Sequence, residues 1–202
     1  MNIATLWTLL EAARAACGHH EYVVVGSLSI LGMEQVAAVP PGMTMSIDVN
    51  CYTLADPPRI FELTALLGEG SAFHAQHGIY LDPVSPKLPT LPDGWEKRLI
   101  RVGYEHRQAI PKGEHRGAQA RSLPKERLAA HFLEQHDAAI SKLARGEPRD
   151  VRWVRAGMRA GMLSLPVLAL RMKSTHFLDA AEQQGTAQRV AGLRSKKRVA
   201  GW

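Results

Sequence analysis

Two short stretches hold residues whose types and spacing suit phosphate chemistry. Gly26-Ser27 follows the apolar run Tyr22 to Val25, and further on Ser46, Asp48 and Asn50 alternate with Ile47, Val49 and Cys51. A glycine at the end of a strand lets backbone come close to a ligand. A helix that starts there offers free N–H groups and a positive dipole end to a phosphate. On a strand, alternate residues share a face, so Ser46, Asp48 and Asn50 would point one way and their apolar neighbours the other. A carboxylate on such an edge, beside a phosphate cradle, is what magnesium-dependent phosphoryl or nucleotidyl transfer requires.

Elements to position these residues can be read along the chain. Leu6, Leu9, Leu10, Ala13 and Cys17 recur at helical spacing over Ile3 to Cys17, and Gly18 stands where a C-cap glycine belongs. The Val23 strand turns at Gly26-Ser27 into a segment of helical rhythm, Leu28 to Gln35. After the Pro40-Pro41-Gly42 turn, Met45 to Tyr52 reads as a half-buried strand. Pro57-Pro58 opens an amphipathic helix that ends at Gly68, and Gly68 to Ser71 is a connecting loop. Gly78 to Val84 is a short strand, and Trp95 to Tyr104 an edge strand with Trp95 as a core anchor. Arg107 to Arg121 is a polar hairpin or loop. From Pro124 the pattern is helical: an entry at Glu134 to Asp137, a break at Gly146-Glu-Pro, a second helix from Val151 to Met162, an apolar segment from Pro166 and a last helix from Thr175 to Leu193, with Phe177, Leu178 and Ala181 at helical spacing. The fold class is α/β (α+β), a small mixed sheet with a C-terminal helical part. Residues 1–123 form the core and 124–202 the helical part with a basic tail, expected to act as one cooperative unit with a cleft between them.

At 202 residues and 46% hydrophobic, the chain can bury one good core. No apolar run approaches the roughly 20 residues of a membrane span, and the first residues do not read as a signal peptide. Two cysteines cannot form a metal cluster of their own, so a reduced, cytoplasmic protein is expected. The formal charge of +6 favours polyanionic partners. Nine Lys or Arg stand against four Glu between Trp95 and Arg127, and five basic residues with no acid lie between Arg189 and Arg198. The first stretch could line one side of a nucleic-acid groove; the second reads as a frayed tail. A solvated basic surface explains both equally well.

The order Gly26-Ser27, short helix, Asp48 on a strand resembles the nucleotidyltransferase superfamily of DNA polymerase beta. It also resembles a group of small bacterial nucleotidyltransferases related to toxin–antitoxin components. That second resemblance rests on Gly68-Glu-Gly-Ser71, on Leu91-Pro-Asp-Gly-Trp-Glu-Lys-Arg-Leu99 and on His136-Asp-x-x-x-Ser-Lys-Leu143 followed by Asp150. The resemblance implies magnesium (or manganese) as cofactor and a nucleoside triphosphate as substrate. Gly26 and Ser27 would hold phosphate, Asp48 would be the principal metal ligand, Lys142 would contact the nucleotide and Asp150 would lie in the same cleft. The superfamily places a third acid on a later strand of the sheet, which makes Asp82 the candidate there. The acceptor would be RNA (a tRNA end among the choices) or a protein, and the partner a cognate toxin or antitoxin.

The pattern departs from the superfamily at one position. Asn50 stands where the second acid belongs. Its amide oxygen can coordinate magnesium but neutralises less of the ion's charge. Three readings stay open: a one-metal enzyme, recruitment of Asp82 or Asp150, or an impaired nucleotidyltransferase fold that binds nucleotide, RNA or a partner in the manner of an antitoxin.

Overall fold

Five short strands pair into one mixed sheet, and helices pack around it. The computed structural model describes residues 1–34, 37–87, 89–103 and 128–194. In chain order the regular elements are α1 (Ile3–Cys17), β1 (Glu21–Val24), β2 (Asp48–Thr53), α2 (Thr64–Leu67), α3 (Ala72–His77), β3 (Tyr80–Pro83), β4 (Ile100–Gly103), β5 (Ala129–Phe132), α4 (Gln135–Arg145), α5 (Pro148–Arg159), α6 (Leu165–Lys173) and α7 (Ala180–Arg194). The strand order is β3-β2-β1-β5-β4. β1 sits in the middle, antiparallel to β2 and parallel to β5, while β3 runs parallel to β2 and β4 antiparallel to β5. After Glu21 at its start, the central strand is apolar, with Tyr22, Val23 and Val24 fully buried, as a strand covered on both faces must be.

α1 forms where its periodicity places it. Asn2 caps the N-terminus by accepting from Thr5 N–H at 2.9 Å, and Gly18, at φ +77°, returns its own N–H to Arg14 O. Leu6, Leu9, Leu10 and Ala13 make its buried stripe. On the C-terminal side α4 is the hub, packed by α5, α6 and α7, with Ala138, Ala139, Ile140 and Leu143 inward. Asp137 on α4 is fully buried and ion-paired with Arg98 (2.7 Å) and Arg171 (2.9 Å), which ties the turn before β4 to α6. Burial pushes its carboxyl up despite the Arg98 contact.

Several elements differ from the sequence expectation. The strand expected from Met45 starts at Asp48, which leaves Ser46 ahead of it. The run after Gly26 is a 3-10 helix, Gly26–Met33, not an α-helix; Leu28 through Gly32 are all buried, so it has no polar face to set a 3.6-residue period. The Pro57 helix begins as a 3-10 helix, Pro57–Leu63, before α2. The segment from Trp95 splits into a 3-10 turn, Trp95–Arg98, and the edge strand β4, with Trp95 partly buried against the core. Most important, the part expected to be helical from Pro124 contributes β5, whose four residues are too few for period-2 alternation to stand out. Residues 104–127 and 195–202, which carry most of both basic stretches and the Arg107 to Arg121 loop, lie outside the described residues. Among the described residues no helix is long and apolar enough to cross a membrane.

Candidate functional site

The first half of the site is built on the sheet. Gly26 has φ +69°, and a Cβ there would run into Asn50 Oδ1. The turn therefore rests directly on Asn50, and Val25 N–H donates to Asn50 O at 2.9 Å. The parallel register of β2 and β3 sets Asp48 beside Tyr80 and Asn50 beside Asp82. Val49, Cys51 and Leu81 face the core. Asp48, Asn50 and Asp82 thus share the opposite, half-buried face. Asn50 Nδ2 donates to Asp82 Oδ2, and Ser46 Oγ donates to Asp48 Oδ1. Neither carboxylate forms an ion pair with a described residue. Burial, and then the charge of Asp48, raises the Asp82 carboxyl above the ordinary aspartate range. Like charges held together without a counterion make this face electrostatically unsatisfied.

The second half is the corner between α4 and α5. Gly146, at φ +73°, ends α4 and returns its N–H to Lys142 O; Pro148 starts α5. A Cβ on Gly146 would collide with the Arg189 guanidinium. Arg189 Nη1 donates to Leu143 O at 2.6 Å, so a cation from α7 sits on the carbonyl end of α4. The corner puts Lys142 and Arg145 in the last turn of one helix and Asp150 in the first turn of the next. Each charge has the sign its helix end favours. Lys142 Nζ donates to Asp150 Oδ1 at 3.2 Å and to Ser27 Oγ at 2.8 Å, and lies 5.1 Å from the centroid of the Trp153 ring. Arg145 closes a fork on Asp150, with two contacts of 2.7 Å. Trp153 Nε1 donates to both Ser27 O (3.2 Å) and Met43 O (3.0 Å).

The two partners in this corner respond differently. Burial raises the Asp150 carboxyl, but the Arg145 hydrogen bonds and the two cationic charges outweigh it, and the net shift is downward. Burial lowers the Lys142 ammonium more than Asp150 restores it. The asymmetry follows from stoichiometry, because one carboxylate serves two cations.

Two cavities flank this centre, on either side of the contacts that Lys142 makes with Ser27 and Asp150. One, about 430 Å³, is lined by Gly26, Asn50, Asp82, Lys142 and Arg145. The other, about 620 Å³, opens on the far side of Ser27 and Asp150, with Ser46, Trp153 and four arginines of α5 in its wall. Ser27, Lys142 and Asp150 are in contact across 115 residues of sequence, as a shared cleft requires. Asp48 makes no hydrogen bond to that network, although its charge contributes at both Asp82 and Arg145.

Asp48 and Asp82 supply two carboxylates and Asn50 an amide oxygen, which is the donor chemistry a hard divalent cation takes. They fit one such ion rather than a cluster of acids, and no group of three or more His, Cys, Asp or Glu converges as a metal site among the described residues. Sequence reasoning missed Arg145, Trp153 and the α5 arginines. A signal existed: Asp150, Trp153, Val154 and Gly157 mark the buried face of α5, which leaves the arginines outside it.

A family described as a nucleotidyltransferase of unknown function (DUF6036) matches residues 4–109 and 119–197. No curated protein and no solved structure matches the chain. The chain belongs to this nucleotidyltransferase family.

Proposed function

We propose that this member of the family transfers a nucleotide from a magnesium (or manganese) nucleoside triphosphate to an acceptor hydroxyl, with release of pyrophosphate. The observation that carries the reading is the unpaired acidic face of β2 and β3 beside the Gly26-Ser27 turn, with Lys142 delivered to Ser27 by a separate helix. Asp48 and Asp82 would hold the cation, with the Asn50 carbonyl as a neutral donor. A divalent ion bound there would neutralise triphosphate charge and draw electron density from the phosphorus under attack.

The chain's own residues do the rest. Gly26 presents backbone without a side chain in the way, and the Ser27 hydroxyl stands beside it. Lys142 supplies a compact positive charge to the same wall, and Asp150 with Arg145 holds that lysine in place. Trp153, bonded to both Ser27 O and Met43 O, fixes the two loops relative to each other. The acceptor in this reading is RNA, a tRNA end included, or a protein, and a role within a toxin–antitoxin pair is consistent with it.

Asn50 favours a second reading. Its amide donates to Asp82, where a carboxylate would repel, so the face is held together at one charge fewer. A protein so altered could bind nucleotide, RNA or a partner without transferring anything, as an antitoxin would. Label transfer separates the two. Wild type, Asp48→Ala and Asn50→Asp are incubated with magnesium and each labelled triphosphate, with total RNA or cell protein as acceptor. Label that appears with wild type and vanishes with Asp48→Ala supports the enzyme. Label only with Asn50→Asp supports the impaired fold. Silence from all three removes the transferase reading.

A further inference from the structure

A transferase must seat two substrates at one centre, and this centre has two cavities. Gly26, Asn50, Asp82 and Lys142 line the smaller one, which is assigned to the metal–triphosphate in the proposed function, with Asp48 beside Asn50 on the same strand face. The larger cavity differs in chemistry. Arg149, Arg152, Arg155 and Arg159 line it at steps of three, three and four residues along α5. Arg149 pairs with Glu147 at 2.6 Å, whereas Arg152, Arg155 and Arg159 form no ion pair with a described residue. The single acid in that wall is Asp150, buried and already held by Lys142 and Arg145. Met45 is 79% exposed at the same rim, next to the buried Trp153.

We propose that the arginine face of α5 is the acceptor-binding surface, and that it takes the phosphodiester backbone of an RNA strand. The proposal rests on the transferase reading of the cleft and names its second substrate. Arg149 to Arg159 spans about 15 Å of helix. A nucleic-acid strand in helical form carries one phosphate per roughly 3.4 Å of axis. The array is thus longer than a triphosphate needs and matches a stretch of backbone. Guanidinium groups bind phosphate through paired N–H donors and stack on base planes, and an exposed methionine beside them offers an apolar surface for a base to cover. An acidic protein would find the charge but would leave those stacking surfaces unused. The strand would lead its terminal hydroxyl past Ser46 toward Ser27, whose hydroxyl accepts from Lys142 in the wall of the smaller cavity.

The test uses the full chain and a fluorescein-labelled single-stranded RNA of about 20 nucleotides, with anisotropy read across a salt series and without magnesium or triphosphate. The variants are Arg152→Gln/Arg155→Gln/Arg159→Gln and, as control on another basic surface, Lys97→Gln/Arg101→Gln. Binding of a fluorescent triphosphate analogue, with magnesium added, and thermal unfolding are measured on the same protein preparations. The expected result is at least a tenfold loss of RNA affinity in the triple variant at moderate salt. The salt slope should fall by about 2, at roughly 0.7 for each phosphate of a single strand that is no longer neutralised. Triphosphate binding and unfolding should stay as in wild type. No RNA binding by wild type, or a loss in the triple variant no greater than in the control, overturns the proposal. Displacement of RNA by polyglutamate as readily as by unlabelled RNA of equal charge overturns it in favour of an acidic protein partner. If triphosphate binding is absent while the arginine dependence holds, the transferase reading fails and the RNA surface stands.

Discussion

The acidic face of the sheet and the α4–α5 corner lie on opposite sides of the same cleft and treat charge in opposite ways. At the corner, Asp150 is 1% exposed in its side chain yet surrounded by donors from Lys142 and Arg145. On the sheet, Asp48 and Asp82 are half-buried with only neutral donors, Ser46 and Asn50. The first arrangement is complete without a ligand; the second is not. A buried pair that is fully bonded holds architecture, and breaking it is costly because a charge is left stranded. A carboxylate pair without a counter-charge braces little, and its like-charge repulsion is relieved by protonation or by a bound cation. In the proposed function, the difference separates the residue that positions from the residues that would bind the cation.

The comparison breaks most visibly at Asp150. Replacing it with alanine strands Lys142 in a buried site and frees Arg145, so urea unfolding should show a loss of about 3–5 kcal/mol. A loss under about 1 kcal/mol would mean that the corner does not brace the cleft. Asp48→Ala is the counterpart on the sheet. Its unfolding free energy should stay within about 0.5 kcal/mol of wild type. Label transfer should fall roughly 100-fold or more, as expected when several kcal/mol of metal-derived stabilisation is lost. If instead Asp48→Ala unfolds the protein, the acidic face is structural and the contrast disappears.

Gly26→Ala tests how tightly the turn is seated on the sheet half of the site. The residue sits at φ +69° against Asn50 Oδ1, so alanine should cost about 1–2 kcal/mol from backbone strain alone, read in the same unfolding assay. A neutral outcome would show that the turn can move off Asn50. The smallest effects are in the acid pH range, and they have opposite signs. Asp82 is raised above the ordinary 3.8, so its contribution is fully present below that value and is lost as pH rises through its folded pKa. Asp150 is lowered from 3.8, so its contribution is present above that value and is lost as pH falls through its folded pKa. Unfolding free energy measured against pH should therefore show Asp82→Asn flattening a fall with rising pH above 3.8. Added magnesium should stabilise wild type only where Asp82 is ionised. Magnesium stabilisation that is independent of pH across this window would place the ion elsewhere.

Periodicity and turn chemistry made much of the fold legible. The α1 boundaries, the alternation around Asp48, the Gly146-Glu-Pro break and Gly26 as a tight turn all follow from local rules, and each has a local cause in the structure. Where the reading went astray, tertiary burial outweighed local pattern. β5 is four residues long and adopts strand structure because β1 and β4 flank it. The segment Gly26–Met33 winds tightly around a stretch, Leu28 to Gly32, that is buried at every residue. The last helix starts at Ala180, after Phe177 and Leu178, and Leu178 is left 86% exposed.

The amino-acid sequence by itself determined which residues could do chemistry: a glycine-serine turn, an aspartate on a strand face, and a lysine and an aspartate flanking a helix break. Only the tertiary structure decided how they are paired. Sheet register brought Asp82 to Asn50 rather than to any nearer residue. Helix packing brought Lys142 to Ser27 across 115 residues. The physical reason is that side-chain type and spacing are local properties. Which charges are neutralised depends on contacts between elements far apart in the chain, and that neutralisation is what distinguishes a brace from a binding site.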